Sequence, residues 1–458
     1  MASPVSYNST ASSTSSSASS AATLTFGIEL EGIFAFHQDR LQAHLTSKLP
    51  HANIVKDLND DQRTSLRQAK YPRQVYQSWA LANAGKNSMT AETSVEHDEG
   101  RIRAYKDEPL HVAKELLKIM EQGKGIFLWN PEDHAKPEVY DKRWILTADQ
   151  SLESLKEEEK ILAFPAKIKN EEKDHWDSYG IELVSPPYSE HDLSTAEADI
   201  SSLLSALETP TSGITTNETC GVHVHIGLPS GECLPIKVLQ HLCKLLVIYE
   251  DEISRLHPLH RRGRSDEIES NKIRFAAEGL DNEALDFVDR LVPDFDTGDM
   301  VMRKHESTYK AVHEIHRLLF DEVDESPDPI AQLQKLVGKA RGMIVNFAYL
   351  NRTNGPQTIE FRQHAGSIDP KEIGYWVNFC LGLVNLARRF ADEVGECQVK
   401  HWKDRVDIGN LMEEMGLEQE VEEFYGRKIA VHGDEGVLGE EGLWQEVLEE
   451  DDLESLDV

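Results

Sequence analysis

The chain has 458 residues, of which 39% are hydrophobic and 28% charged, a balance that suits a soluble globular core carrying polar appendages. A net charge of -33 sets it against nucleic acid, whose phosphates it would repel, and no apolar run reaches the length needed to span a bilayer. Five cysteines, an odd number with no CxxC pair, suggest reduced thiols in an intracellular compartment.

In chain order, residues 1–22 are rich in Ser, Thr and Ala. They carry neither the apolar segment of a signal peptide nor the arginines of a mitochondrial presequence. This stretch reads as a disordered tail, with the cytosol as the expected location. The ordered chain is expected from 23 to about 395, opening with Phe26-Gly27-Ile28-Glu29-Leu30-Glu31-Gly32 as a strand. Residues 38–125 look helical, with Leu41–Leu49 and Val112–Gly123 the clearer amphipathic segments. Gly125–Trp129 and Trp144–Leu152 read as strands, the second ending in a polar turn. Residues 153–175 read as a charged, solvated excursion.

The strand around Glu182 closes on Ser185-Pro186-Pro187, which stops sheet pairing. A helix over 191–208 and a polar loop lead to Cys220-Gly221-Val222-His223-Val224-His225-Ile226-Gly227. Pro235 opens a long helix to about Leu256. Residues 257–335 are expected to form an insertion or lid, beginning with the basic run His257–Arg264. That run reads as an ordinary basic loop, with a grip on phosphate as the alternative. Ala348–Arg352 is predicted to pair with Gln357–Arg362 as a hairpin around Asn354-Gly355. Asp369-Pro370 opens the last long helix, to about Phe390. Residues 396–433 are expected as a helical extension. The stretch 434–458, with eleven acids and no basic residue, reads as an acidic tail.

Four of these strands share one signature. In a strand, successive side chains point to opposite faces. Glu29 and Glu31 therefore share a face opposite Ile28 and Leu30, as do His223 and His225 opposite Val222, Val224 and Ile226. Glu182 stands between Ile181 and Leu183, and Glu360 and Arg362 stand opposite Ile359 and Phe361. Taken singly, Glu-x-Glu is an edge facing water, His-x-His is packing, and Glu-x-Arg is a surface ion pair worth little. Taken together on strands whose other faces are apolar, they describe a site for metal and phosphate. No GxxxxGK[ST] or GxGxxG is present, and His313-Glu314-Ile315-His316 has the wrong spacing for HExxH. A phosphate site here must be built from arginines and hard cations: Mg²⁺ on carboxylates, or Mn²⁺ where an imidazole joins.

Gly27-Ile28-Glu29-Leu30-Glu31, Trp144…Asp149-x-Ser151-Leu152, Glu182-Leu183-Val184-Ser185-Pro186-Pro187, Cys220-Gly221-x-His223-x-His225 and Glu360-Phe361-Arg362 occur in that order between about 24 and 395. The set resembles the amidoligase family, within the carboxylate–amine ligase superfamily that includes glutamine synthetase and glutamate–cysteine ligase. The resemblance implies an α+β fold: a glutamine-synthetase-like catalytic domain with a curved, mainly antiparallel sheet flanked by helices. It implies one metal on Glu31 and Glu182, with Asp149 as a candidate third ligand. It implies a second on Glu29, His223 and Glu360 at the phosphates of ATP, with His225, Arg352 and Arg362 as nucleotide-binding groups. Which of His223 and His225 ligates the metal stays open.

The implied reaction joins a small-molecule or peptide carboxylate to an amine acceptor. ATP is the phosphoryl donor, Mg²⁺ or Mn²⁺ the cofactor, and Arg362 and Arg352 act at the chemistry. A metal-dependent hydrolase and a non-catalytic relative that binds nucleotide or a partner are the competing readings.

Overall fold

The computed structural model describes residues 23–37, 39–40, 108–117, 127–128, 143–149, 151–170, 173–265, 268–279, 315–353, 355–392 and 408–432. The serine-rich start, the Leu41–Leu49 segment, the middle of the expected insertion and the acidic tail lie outside them.

Strand β1, Thr25–His37, is the longest and the most central. Helix α1, Glu108–Leu117, and the short strand β2, Phe127–Leu128, precede β3, Ile145–Ala148. Helix α2, Glu157–Ala163, leads to β4, Trp176–Val184, and β5, Tyr188–Ser189. Helix α3, Leu193–Leu207, β6, Ser212–Thr215, and β7, Gly221–Gly227, follow, and then α4, Ile236–Ser254. A two-stranded ribbon, β8 (Arg264–Ser265) and β9 (Ile268–Glu269), precedes α5, Asn271–Gly279. A π-helical turn, Arg317–Glu322, and α6, Pro329–Val337, come before β10, Val345–Asn346, and β11, Ile359–Ala365. Helices α7, Pro370–Asp392, α8, Ile408–Met415, and α9, Gln419–His432, complete the described chain.

Among the described residues one open sheet runs β10-β11-β7-β1-β4-β3-β2, with β5 and β6 also pairing β1. All its pairings are antiparallel except β2 with β3, so the fold is α+β. Alternation sorts its two faces. Phe26, Ile28, Leu30, Leu183, Val222, Val224, Ile226, Ile359 and Phe361 point into the main core, where α3, α4 and α7 cover them. Each such aliphatic side chain contributes about 1.5–3 kcal/mol of burial. Most of α4 is buried, Leu239, Leu242, Leu246 and Tyr249 included.

Two expectations are corrected. The stretch 153–175 is not merely a solvated excursion. Leu152, Leu155, Phe164 and Ile168 pack with Ile33, Ala35, Trp176 and Cys220 in a second core on the opposite face of β1. Its charged residues hid apolar ones spaced to reach the sheet. The hairpin before β11 is also shorter than expected. Only Val345 and Asn346 pair, with Phe361 and Glu360, while Ala348–Asn351 forms a 3-10 turn.

The described flanks of 257–335 belong to the main body, since Phe275, Ile315, Leu318, Leu333 and Leu336 lie in the main core. Their key polar anchor is Glu250 on α4. It accepts hydrogen bonds from the Ser270 hydroxyl and from the Lys272 amide at 2.9 Å. Between them Asn271 donates to the carbonyls of Val337 and Val345 and accepts from the Val345 amide. This chain of contacts fixes β10.

Burial pushes the Glu250 carboxyl up to about 7 from an ordinary 4.5. A folded-state value above the unfolded one gives stability that is complete below about 4.5 and is lost as pH rises through about 7. The loss approaches about 3 kcal/mol. Glu250→Gln should therefore be less stable than the parent at acidic pH, where it loses a hydrogen bond, and should close that gap or reverse it above pH about 8. Urea unfolding of both proteins across this range checks it; parallel pH profiles would refute the role given to Glu250.

Candidate functional site

The face of the sheet opposite the main core carries the ionisable residues, and strand register sets their spacing. Glu31 lies directly across from Glu182, and Glu29 across from His223. Glu360 lies across from His225. Residues paired across neighbouring antiparallel strands have Cβ atoms roughly 4.5–5.5 Å apart, so each pair is close before any side chain bends.

One group gathers Glu31, Asp149 and Glu182, whose ligand atoms all lie within 4.8 Å of one another. Asp149 reaches it because Gly180 has no side chain. A Cβ there would meet the Asp149 carbonyl oxygen at 2.8 Å and Leu152 Cβ at 2.6 Å, so glycine lets the turn after β3 lie directly on β4. The Asp149 carboxylate accepts from the Ser151 amide and hydroxyl, which holds the turn closed. Glu31 accepts from the Gly221 amide at 2.6 Å. Burial pushes the Glu182 carboxyl well up, and Glu29, Glu31 and Asp149 push it further. Glu31 is likewise raised, by burial first, although His223 draws it down. The group has more negative charge than its surroundings offset, which is the electrostatic profile of a cation site.

The second group gathers Glu29, His225 and Glu360 within the same mutual 4.8 Å. His225 Nε2 is buried and lies 3.0 Å from Glu29 and 3.9 Å from Glu360. Its Nδ1 is held by the Thr358 hydroxyl at 3.2 Å, which leaves Nε2 facing the carboxylates. Glu360 is fully buried, with one oxygen accepting from Asn346 at 2.7 Å and the other from Arg362. Burial pushes the Glu29 carboxyl up, but His225 and His223 outweigh it and hold it well below the usual range. Burial draws the His225 imidazole down, and Glu29 and Glu360 more than offset this.

His223 stands between the groups. Its Nδ1 is 3.3 Å from Glu29 and 3.7 Å from Glu360, and its Nε2 is 3.7 Å from Glu31. Both histidines therefore face the second group, His225 by Nε2 and His223 by Nδ1. Arg362 is aimed here by a β-bulge. Register shifts between Phe361 and His364, so Arg362 and Gln363 together oppose His223. The guanidinium meets Glu360 and comes within 3.3 Å of His223 Nδ1. Burial opposes its charge, but Glu360, Glu31 and Glu29 more than compensate.

Every expected ligand thus lies on one face, together with Arg362. Arg352 does not lie on a paired strand. It stands at the rim, its guanidinium 3.7 Å above the Tyr349 ring, which in turn meets the His225 ring at 5.5 Å. Cys220 is buried, and burial pushes its thiol up to about 11, so it is not an activated nucleophile. Sequence reasoning missed Thr358, Asn346 and Arg261. Thr358 was legible, two positions before Glu360 on the same face. Asn346 sits on a two-residue strand with no periodicity to read. Arg261 lies in the basic run 257–264, where nothing in the spacing marks which arginine turns inward.

The donor sets fit hard divalent cations: three carboxylates in one group, and two carboxylates with an imidazole nitrogen in the other. The carboxylate repulsion predicts a trade-off. Because the Glu182 value is raised in the folded state, its stability contribution is lost as pH climbs above the ordinary carboxylate range. Glu182→Gln should then raise the melting temperature in EDTA by several degrees at about pH 8 and by little at about pH 5, while reducing the stabilisation given by Mn²⁺. Thermal unfolding with and without Mn²⁺ checks both halves; a variant less stable than the parent in EDTA at the higher pH would refute the repulsion.

No curated protein and no solved structure matches the chain. Residues 22–384 match the family model described as "Putative amidoligase enzyme", and that span holds every residue of the two groups. The chain belongs to this amidoligase family.

Proposed function

We propose that the protein is an ATP-dependent carboxylate–amine ligase that forms an amide through an acyl phosphate on a two-metal site. One observation carries the reading. Two ligand groups, Glu31/Asp149/Glu182 and Glu29/His225/Glu360, lie side by side on one sheet face with Arg362 beside the second, in a member of the amidoligase family. On this reading the open sheet is a glutamine-synthetase-like trough. Its acidic end takes the acceptor substrates and its histidine end takes the phosphates. Each group would hold one Mg²⁺ or Mn²⁺, with His223 completing the second, and such ions would supply positive charge against the phosphates.

A carboxylate oxygen of the first substrate attacks the γ-phosphorus of ATP, ADP leaves, and an acyl phosphate forms. The amine nitrogen then attacks the acyl carbon, inorganic phosphate leaves, and the nitrogen gives up a proton. Arg362 offers a planar pair of donors to the transferring phosphoryl group. Asn346 and Thr358 keep Glu360 and His225 oriented, so little rearrangement is needed when charge moves. Arg352, stacked on Tyr349 at the rim, is placed for the substrate carboxylate or a phosphate oxygen. The acyl phosphate must be kept from water, and the second core makes one end of the face apolar. The cytosol is the compartment this reading favours, where ATP and thiols coexist; Cys220, Cys233, Cys243 and Cys380 are all free.

Arg362→Lys keeps the charge but loses the two-pronged donor. It should retain fold and metal binding while lowering turnover by two to three orders of magnitude, about 2–4 kcal/mol of lost transition-state contact. Glu360→Ala should instead weaken metal–nucleotide binding. Acceptor-dependent phosphate release and metal–nucleotide affinity are measured for both. Normal turnover by Arg362→Lys would sink this division of roles, and phosphate release that ignores the amine would favour the hydrolase reading.

A further inference from the structure

We infer that Arg261 is a positioning residue of this site, holding the bulge of β11 and through it the Arg362 guanidinium against His223. The inference rests on the ligase reading only where nucleotide is concerned.

Arg261 is 3% exposed and lies in the basic run between α4 and β8, outside the five motifs that carry the family resemblance. Its Nη2 donates to the main-chain carbonyl of Arg362, the residue that the bulge turns into the site. The same nitrogen occupies the space where a Cβ of residue 221 would stand. That Cβ would meet it at 2.5 Å and would meet His223 Nε2 at 2.9 Å. Gly221 is therefore required by the side chains beside it, and its amide is already committed to Glu31. One guanidinium thus touches the backbone of the phosphate-facing arginine and packs where the histidine strand begins.

The loop that carries Arg261 is itself anchored. His257 is buried with its ring 4.9 Å from Trp376 and 5.6 Å from His364, and Arg262 donates to the carbonyls of His257 and His432. Arg261 is thus held between a loop fixed to α7 and α9 and a strand irregularity with no regular ladder of its own. A bulge leaves its extra residue unpaired, so the direction of Arg362 depends on what holds its main chain. On one side the Arg362 amide donates to the Ile344 carbonyl, and on the other its carbonyl accepts from Arg261.

The test uses the full-length protein with ¹⁵N-labelled histidine and two variants, Arg261→Ala and Arg261→Lys. The first readout is the imidazole ¹⁵N spectrum of the metal-free protein, which reports the surroundings of His223 and does not involve nucleotide. The second is the affinity for Mg²⁺ with a non-hydrolysable ATP analogue. Both variants should shift the His223 resonances and lose affinity about tenfold, with the melting temperature little changed. Guanidinium ion added to Arg261→Ala should restore both readouts toward the parent. It should not do so for Arg261→Lys, whose side chain fills the cavity without the fork. Should Arg261→Ala not fold, the Lys variant decides alone. Unchanged His223 resonances in a folded variant, or no recovery with guanidinium in a folded Ala variant, would overturn the inference. A parent protein that binds no nucleotide would instead overturn the ligase reading, and the His223 spectrum would still decide the role of Arg261.

Discussion

Five carboxylates, Glu29, Glu31, Asp149, Glu182 and Glu360, are forced onto one half-buried patch of sheet, and the rest of the molecule answers that repulsion. Like charges at such separations in a low-dielectric setting oppose folding, so a fold that keeps them must hold them by something stronger. Here the restraint is backbone register. Slipping any of these strands by one residue would turn its carboxylate into the core and its aliphatic residues into the trough. The burial of Ile28, Leu30, Val222, Val224, Ile226 and Phe361 therefore secures the acidic patch from behind.

Compensation on the near side is uneven. Glu29 and Glu360 have two imidazoles and a guanidinium within reach, whereas Glu182 faces mainly other acids. The histidine end sets basic groups directly against its carboxylates, while the acidic end crowds carboxylates together. The two ends therefore differ in character: one sets imidazoles and a guanidinium among its carboxylates, and the other is built of carboxylates alone.

The sheet was legible because its strands alternate strictly, and alternation is a signal confined to a few neighbouring residues. Glu29, Glu31, Glu182, His223 and Glu360 could be set on a common face from that rule alone. What failed to show in the sequence was anything decided by long-range approach. Asp149 was a candidate only through the family resemblance, because its reach depends on the bare Gly180 beneath it, and Arg261 is placed in the same way by Gly221. The apolar residues of 152–168 are spaced for a surface that β1 presents, so their pattern has no meaning until β1 is known. The two-residue β10 is defined wholly by its partners, Asn271 and β11, and carries no periodicity of its own.

The centrality of β1 has a kinetic consequence. It is the first described strand made, yet the histidine it opposes at Glu29 lies 194 positions further on, and the arginine of β11 follows that histidine by another 139. Long-range antiparallel pairings of this kind pay loop-closure entropy before they return any contact energy, so they form slowly. Until β4, β6 and β7 are made, Phe26, Ile28, Leu30, Phe34 and Phe36 of β1 lack the strands that pair with it in the finished sheet, an apolar ribbon open to aggregation or to a chaperone. The face that carries the two ligand groups is thus complete only once β11 has been made and has closed against β7.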